Sequence, residues 1–530
     1  MKINLGCGTD LRPGWINVDA LSDVGADVVA NISQPLPFVT SSAEQIAAQD
    51  VIEHLTRPQQ EQLLQEIARI LRPGGKLSIR VPNIDDIVNR FAADIETRNL
   101  FLFGDTSVQG EWGAHKWVPT LRQLQAVAKL HHLRMTNWQS VNTNYELEFV
   151  KSSRHLITVN SLLFVNQSLG LGGAEVFNSQ LLTWLSKAGV RITSYVTHPQ
   201  FAKQLAHSHR IPLVVDVIGD WKGLIKGLLL LPLAVIYYGW LTWTQRHVDV
   251  IFMTGFIEKI LITPWARLLK VAVVWEEFGP LQPVTGKFFG FPQLLYRIVK
   301  SLPDIIIVPS LNTRNLLVLQ NQVSPAKLTI IPCARNKPER ANLPVSKSLV
   351  VCVSRLEKGK GQEALVSAWP QVVAKIPQAK LRLVGEGERA ASLQSLVSRL
   401  NLDESVVITG WVADSVAEMA RAQVCICPSM WPLEGFGLVA VEAMSLAKPV
   451  VGFNLRPISE IVDSRCGILV APGDTTALAA AIIKLLTHPN LAKKLGQKGR
   501  EKYLQQYTFD QVGPQILHQL KLAKAYVKRD

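Results

Sequence analysis

The residues with the most chemical content lie in the run WPLEGFGLVAVEA, where seven residues separate Glu434 from Glu442. Gly435-Phe436-Gly437 reads as a turn, and a helix is expected to start near Gly437. One carboxylate then sits on the loop and the other about a turn and a half along the helix. Upstream, the strand LVVCVS runs into Arg355-Leu-Glu-Lys-Gly-Lys360-Gly361 and then a helix. Arg355 and Lys360 have the charge and reach to clamp a diphosphate, and the helix N-terminus adds its dipole and free N–H groups. The segment VGEGE (384–388), with Gly385 and Gly387, supplies a second glycine-relaxed strand exit. Open α/β sheets bind ligands at this rim of strand ends.

A second set opens the chain. INLGCGTD (3–10) is a strand followed by a glycine-relaxed turn, and INVDA puts Asp19 at the end of the next strand. Glycines admit a ligand and the carboxylate accepts from ribose hydroxyls, so the spacing suits a nucleoside. A dinucleotide-binding oxidoreductase shares this strand–glycine–acid pattern; LRPGG and EHL argue against it.

The elements that must position these residues alternate between strand-like apolar runs and amphipathic helical ones, the pattern of parallel α/β sheets. A first series runs from Met1 to about Lys151 and closes with LRMTNWQSVNTNYELEFV. A second begins at LITVNSLLFVN and continues through ITSYVTH, PLVVDVIG, DVIFMTG, VAVVWEE and DIIIVPS. A third follows PCARNKPERANLPVSKS and runs from LVVCVS to GILVAP. The expected architecture is three Rossmann-like domains, 1–152, 155–340 and 341–505, with a terminal helix over 506–530. At 530 residues the chain is too long for one core.

Residues 1–152 hold 14 Lys/Arg against 17 Asp/Glu, so the remainder carries +17 of the net +14. A basic C-terminal part suits nucleic acid, anionic lipid or phosphorylated substrates. Basic runs interleaved with aromatics are missing, which argues against nucleic acid as a partner. The six cysteines are scattered in apolar runs without zinc-ligand spacing, and they read as buried thiols; no metal is expected. MKINLGCGTD lacks the charged-then-apolar pattern of a signal peptide, so the expected compartment is the cytoplasm.

The run LIKGLLLLPLAVIYYGWLTW (224–243) is long enough to span a bilayer. It lies between two predicted strands that should share one sheet, and a single crossing would separate them. A buried helix and an interfacial helix are the two alternatives, the second favoured by Trp and Tyr at one end and Lys222 and Lys226 at the other. GKFFGFPQLLYRIVKSL (286–302) is a second aromatic and basic segment. Both suit peripheral contact with an anionic membrane surface, the inner face of the plasma membrane, and a lipid-linked acceptor.

GLGGAE (170–175), RLEKGKG, VGEG, ITGWV, CPSMWPLEGFGLVAVEAM and GILVAPGD occur in one order over residues 161–530. Together they resemble the family 4 retaining glycosyltransferases of the GT-B fold. The resemblance implies a nucleotide-diphosphate sugar donor and a glycan or lipid-linked acceptor, in surface polysaccharide or glycolipid assembly. It implies that Arg355 and Lys360 neutralise the leaving diphosphate, that Glu434 hydrogen-bonds the donor sugar and that Glu442 binds the ribose hydroxyls. Gly172 and Gly173 would let the first loop of the N-terminal domain approach the phosphates. Gly410 and Trp411 would contact the nucleobase, and the Gly385 and Gly387 exit and the loop Gly435-Phe436-Gly437-Leu438 would complete the donor pocket. Three departures stand out: Glu276-Glu277 where relatives have a histidine on the donor sugar, Cys333-Ala334 for Asn-Gly, and NLRP for a glycine-rich loop.

LPF (36–38), AAQDVIEHL (47–55), ILRPGGKLSIRVPN (70–83) and HKWVPTLRQLQAVAKLHHL (115–133) resemble class I S-adenosylmethionine-dependent methyltransferases. By that resemblance Gly6, Cys7, Gly8, Asp19 and Asp50 bind S-adenosylmethionine. Glu53 and His54 lie on the acceptor side, where His54 orients or deprotonates an acceptor or else serves the core. Glu44 stands where an Asp is usual. The alternatives are a bifunctional enzyme and a glycosyltransferase whose first domain is an inactive docking module.

Overall fold

The computed structural model describes residues 1–92, 94–103, 114–152, 157–167, 172–212, 221–279, 281–338, 344–431 and 434–527. They group into two compact units, Met1–Thr158 with Lys521–Asp530, and Val159–Leu520. The cut anticipated near residue 340 therefore separates two sheets of one unit, and the last turns of the terminal helix group with the first unit.

In the first unit the short strands β1 (Lys2–Leu5), β2 (Ile16–Asp19) and β3 (Val28–Val29) run parallel to β4 (Ala43–Gln49) and β5 (Leu71–Pro82). LRMTNWQSVNTNYELEFV folds into a hairpin, β6 (Leu133–Val141) and β7 (Asn144–Lys151), and β7 adds antiparallel to β5. The sheet order is β3-β2-β1-β4-β5-β7-β6. Ile3, Leu5, Ile46, Ala48, Leu77 and Ile79 are buried on these strands with Leu63, Leu64 and Ile67 of the Arg57–Ile70 helix. That helix starts where Gln59 Oε1 accepts from the Thr56 N–H at 2.9 Å, a reciprocal cap that satisfies an end the chain cannot satisfy alone. Glu44 lies within β4, half-exposed, and pairs with Arg72 at 3.2 Å.

The second unit contains two all-parallel sheets. The first, in order β10-β9-β8-β11-β12-β13-β14, comprises β8 (Ser161–Asn166), β9 (Arg191–Val196), β10 (Ser208–Arg210), β11 (Val250–Met253), β12 (Ala272–Glu276), β13 (Ile305–Val308) and β14 (Leu328–Ile330). The other, in order β17-β16-β15-β18-β19-β20, comprises β15 (Leu349–Val353), β16 (Lys380–Val384), β17 (Val406–Gly410), β18 (Val424–Cys427), β19 (Val450–Phe453) and β20 (Gly467–Val470). Strands such as VIFM, IIIV, VCIC and VVGF are buried throughout, because helices cover both faces of a parallel sheet. All six cysteines are buried, free thiols. Each of the three sheets reverses the order of its parallel strands at one point, between β1 and β4, β8 and β11, and β15 and β18.

The Trp221–Thr244 helix is followed by β11, and β10 precedes it in the same sheet. It is the one helix among the described residues long and apolar enough to cross a membrane, yet a single crossing would place strands of one sheet on opposite sides. One of its faces is buried and the other is exposed. Leu224, Ala234, Tyr238 and Leu241 join the core, whereas Ile225, Leu229, Leu233, Ile236, Trp240 and Trp243 form an exposed stripe at helical spacing. The predicted strand PLVVDVIG lies, except for its first residue, outside the described residues. At the chain's end, the Phe509–Val527 helix stacks Phe509 on Phe177 with ring centroids 5.5 Å apart, and Gln519 meets Thr329 at 3.3 Å.

Candidate active sites at two sheet reversals

The β15–β18 reversal carries the charged cleft. After β15 the chain turns through Ser354–Gly361 into the Gln362–Lys375 helix. Gly361 has φ +80°, and a Cβ there would overlap the Pro428 carbonyl oxygen, so only glycine lets the turn close against the strand end of β18. The buried Gln362 amide donates to Ser354 Oγ (2.6 Å) and to the Arg355 carbonyl (2.8 Å), which ties the turn together.

Lys360 leaves this turn toward the loop after β18. Its Nζ lies 2.6 Å from Glu434 Oε2 and 4.8 Å from the Trp431 ring centroid, and Ser429 Oγ donates to the same carboxylate oxygen at 2.9 Å. The two residues read from sequence as separate phosphate and sugar ligands are thus paired with each other. Arg355 behaves differently: its side chain is exposed and pairs with Glu357 at 2.8 Å within the turn.

The Glu434 loop is held from the neighbouring sheet. Ser310 Oγ and Thr313 Oγ1 donate to the Gly435 carbonyl at 2.8 and 3.1 Å, and Glu460 accepts the Leu311 and Asn312 backbone N–H groups at 2.8 and 2.9 Å. These groups come from the start of the Leu311–Asn321 helix after β13. Gly437 caps the Leu438–Ser445 helix as expected, and that helix presents Glu442. The ribose-facing role anticipated for Glu442 meets a competitor, because its Oε1 accepts from Arg335 Nε at 2.7 Å and both side chains are largely buried. Arg335 also reaches the Gly173 carbonyl at 3.4 Å, and its own carbonyl accepts from Tyr503 Oη at 3.0 Å.

Gly173 packs on Leu438 and Arg335 at the start of the Gly173–Lys187 helix, and the Gly172 N–H donates to Glu175 Oε2 at 2.8 Å. Gly385 and Gly387 lie against the Ser354 and Leu356 carbonyls, and the Gly385 N–H donates to the Gly410 carbonyl at 2.9 Å. Trp411 beyond it is exposed, and Phe436 is buried edge-on to Tyr507. Glu276 and Glu277 end up buried: Lys259 Nζ lies 2.9 Å from Glu277 Oε2 and donates to the Glu276 carbonyl at 2.6 Å. Burial pushes the Glu276 carboxyl up to about 8, with Lys259 opposing and Glu277 adding, and its Oε2 has no partner among the described residues.

The β1–β4 reversal carries a cavity of about 360 Å³ lined by Gly6, Cys7, Gly8, Asp19, Asp50 and His54 among others. Gly6 has φ +61°, and a Cβ there would overlap Val51, which keeps the wall thin. The Gly8 and Leu21 N–H groups donate to the Asp19 carboxylate at 2.8 and 3.0 Å, so it is fixed by backbone and retains lone pairs toward the cavity. Burial raises the Cys7 thiol, with Asp19 adding to the shift. Asp50 chelates the Arg80 guanidinium, whose Nε lies 2.9 Å from both carboxylate oxygens.

Next to the cavity, Glu53 is buried and desolvation pushes its carboxyl up to about 8. Burial lowers His54, whose Nδ1 lies 3.2 Å from the Ala114 carbonyl. One donor atom each from Glu53, His54 and His115 lie within 4.8 Å of one another. The residues missed from sequence are Arg335, Ser310, Thr313, Glu460, Arg80 and His115. Ser310-x-x-Thr313 after an apolar strand is a helix-start signal; nothing in the sequence marks the partners of the others.

Residues 334–502 match the family described as glycosyl transferases group 1, and residues 5–79 match a methyltransferase domain. The chain is 26% identical over 244 residues to the MMP alpha-(1->4)-mannosyltransferase of Mycolicibacterium hassiacum, covering 44% of this chain and 58% of that protein. It is 34% identical over 162 residues to a GDP-mannose-dependent alpha-(1-6)-phosphatidylinositol monomannoside mannosyltransferase of Mycolicibacterium smegmatis, covering 29% and 42%. The chain spans about half the length of the curated relatives it matches. Among solved structures, Anabaena HepE in complex with UDP has a TM-score of 0.56 at 22% identity, covering 68% of this chain and 99% of that one. That likeness is one of fold.

Proposed function

From the matches of residues 334–502 to the group 1 glycosyl transferases and of residues 5–79 to a methyltransferase domain, we propose a bifunctional enzyme of surface glycan or glycolipid assembly. Its second unit transfers a sugar, with retention, from a nucleotide-diphosphate donor to a glycan or lipid-linked acceptor. The observation that carries this is the Lys360–Glu434 pair on the two loops flanking the β15–β18 reversal. Lys360 has three N–H donors, so it can keep Glu434 while donating to a phosphate oxygen. The bonds to Glu434 fall on Oε2, which leaves Oε1 for a sugar hydroxyl. As the anomeric bond breaks, negative charge develops on the diphosphate, and Lys360 with Arg355 stabilises it in place. Glu442, oriented by Arg335, offers its second oxygen to the ribose.

The test is a screen of UDP- and GDP-sugars for transfer or slow hydrolysis by the full chain. Lys360→Ala and Glu434→Ala are each expected to lower turnover on the order of 10²–10³-fold. Unchanged turnover in both variants would sink the assignment.

The acceptor-side proposal is a lipid-linked substrate met at an anionic membrane surface. It is supported by the stripe Ile225, Leu229, Leu233, Ile236, Trp240 and Trp243, with exposed Lys226 on the same helix and Arg246 stacked on Trp243 at 4.5 Å. Leu229→Asp with Ile236→Asp is expected to abolish co-sedimentation with phosphatidylglycerol vesicles at low salt. Equal sedimentation of both forms would remove the membrane from the proposal.

For the first unit we propose S-adenosylmethionine binding in the 360 Å³ cavity, with Asp19 accepting from the ribose hydroxyls. A cofactor-dependent thermal shift supports this; no shift with S-adenosylmethionine or its demethylated product favours a docking module instead.

A further inference from the structure

We propose that Glu53, His54 and His115 bind a divalent transition-metal ion beside the cavity of the first unit. The inference stands on side-chain geometry and does not depend on what the cavity itself binds.

One carboxylate oxygen and two imidazole nitrogens within 4.8 Å of one another are close enough for small side-chain rotations to bring all three to metal–ligand distance, roughly 2.0–2.2 Å from a common centre. Glu53 supplies a second observation. It is 2% exposed, and its Oε2 has no hydrogen-bond partner among the described residues. A buried carboxylate oxygen without a donor is costly, and a cation in the gap removes that cost.

Both histidines are set for the task by the backbone. The Ala114 carbonyl can only accept, so His54 Nδ1 must carry the proton at 3.2 Å and Nε2 must carry the lone pair. A carbonyl on the far nitrogen is the usual way a metal-binding imidazole is oriented. The Lys116 and Trp117 N–H groups donate to the Glu53 carbonyl at 2.8 and 3.2 Å, which staples the segment bearing His115 to the short Ile52–His54 turn. The two imidazoles meet edge to face, with centroids 5.0 Å apart and planes at 70°.

A set of two nitrogens and one oxygen with no thiolate suits Zn²⁺, Co²⁺, Mn²⁺ or Fe²⁺ and disfavours Ca²⁺, which takes six or more oxygens. Three protein ligands leave a coordination position open, as catalytic sites do. Because His54 also lines the cavity, that position can face a bound hydroxyl oxygen, whose proton the ion would loosen.

The experiment uses tag-free full-length protein stripped with chelator and titrated with ZnCl₂ and CoCl₂. The expected result is one ion per chain, with a visible d–d absorption band for Co²⁺. Glu53→Gln and His115→Asn should each weaken binding by on the order of 100-fold or more, the upper end of what even supporting residues contribute. Circular dichroism establishes that each variant is folded; if Glu53→Gln is not, His115→Asn decides. No ion bound by the wild-type chain, or undiminished affinity in a folded variant, overturns the proposal.

Discussion

The cleft at the β15–β18 reversal and the cavity at the β1–β4 reversal occupy equivalent positions in their sheets but manage charge in opposite ways. In the first, acids and bases from distant segments satisfy each other: Lys360 with Glu434, and Arg335 with Glu442. In the second, Asp19 is held by backbone N–H groups, and Glu53 is buried with one oxygen unsatisfied. A self-paired network is satisfied without ligand, and its spare N–H donors and carboxylate oxygens can take a donor without giving up the pairs. The cavity presents a backbone-held acceptor, and a buried carboxylate oxygen beside it is unsatisfied among the described residues. The contrast suits the ligands proposed, since a diphosphate needs cations held in place whereas a nucleoside needs hydrogen-bond acceptors and room.

The largest effect expected from breaking this contrast is at Arg335. Arg335→Ala leaves Glu442 buried without its partner and should cost the second unit about 3–5 kcal/mol, read from its urea transition. The double variant Arg335→Ala with Glu442→Ala should recover much of the loss; a loss below about 1 kcal/mol would mean that the pair does not hold the cleft. In the first unit, Asp19→Ala removes an acceptor without leaving a buried counter-ion. It should weaken S-adenosylmethionine binding by about 10- to 100-fold, the worth of hydrogen bonds to a charged group, with less change in stability. Calorimetry that returns equal affinities would remove Asp19 from the site.

The smallest effect sharpens the comparison through pH. Glu276 has a folded value near 8 against an unfolded value near 4.5, so the native state holds the extra proton between them. Its contribution is fully present below about pH 4.5 and is lost as pH rises toward 8. Glu276→Gln should flatten that part of the stability profile of the second unit, and a profile parallel to the wild type would show that Glu276 is ionised throughout.

Much of this was legible in the chain. The strand runs VVCV, IIIV and VIFM needed no partner to be recognised, because burial on both faces imposes unbroken apolarity. Gly361 and Gly437 marked helix starts, and INLGCG with INVDA marked the ends of two strands. Glu434 and Lys360 were singled out by their motifs, but their pairing was not legible: they are brought together by the parallel neighbours β15 and β18, which are separated in sequence by β16 and β17. His115 stood inside a recognised segment without its neighbours being visible, since tertiary bonds such as those of Lys116 and Trp117 to the Glu53 carbonyl set it beside that residue. The apolar run at 224–243 had two readings because composition reports the sum of its faces, and only the burial of Tyr238 and Leu241 in the core separates its buried face from its exposed one.

By itself, then, the sequence determined local states: which runs are strands, where glycine opens a turn, and which residue types stand at strand ends. These depend on periodicity and backbone sterics over a few residues. Tertiary structure decided which charges neutralise each other and which stay unsatisfied, because Coulomb and hydrogen-bond partners are set by distance in space, and sheet order brings remote segments within that distance.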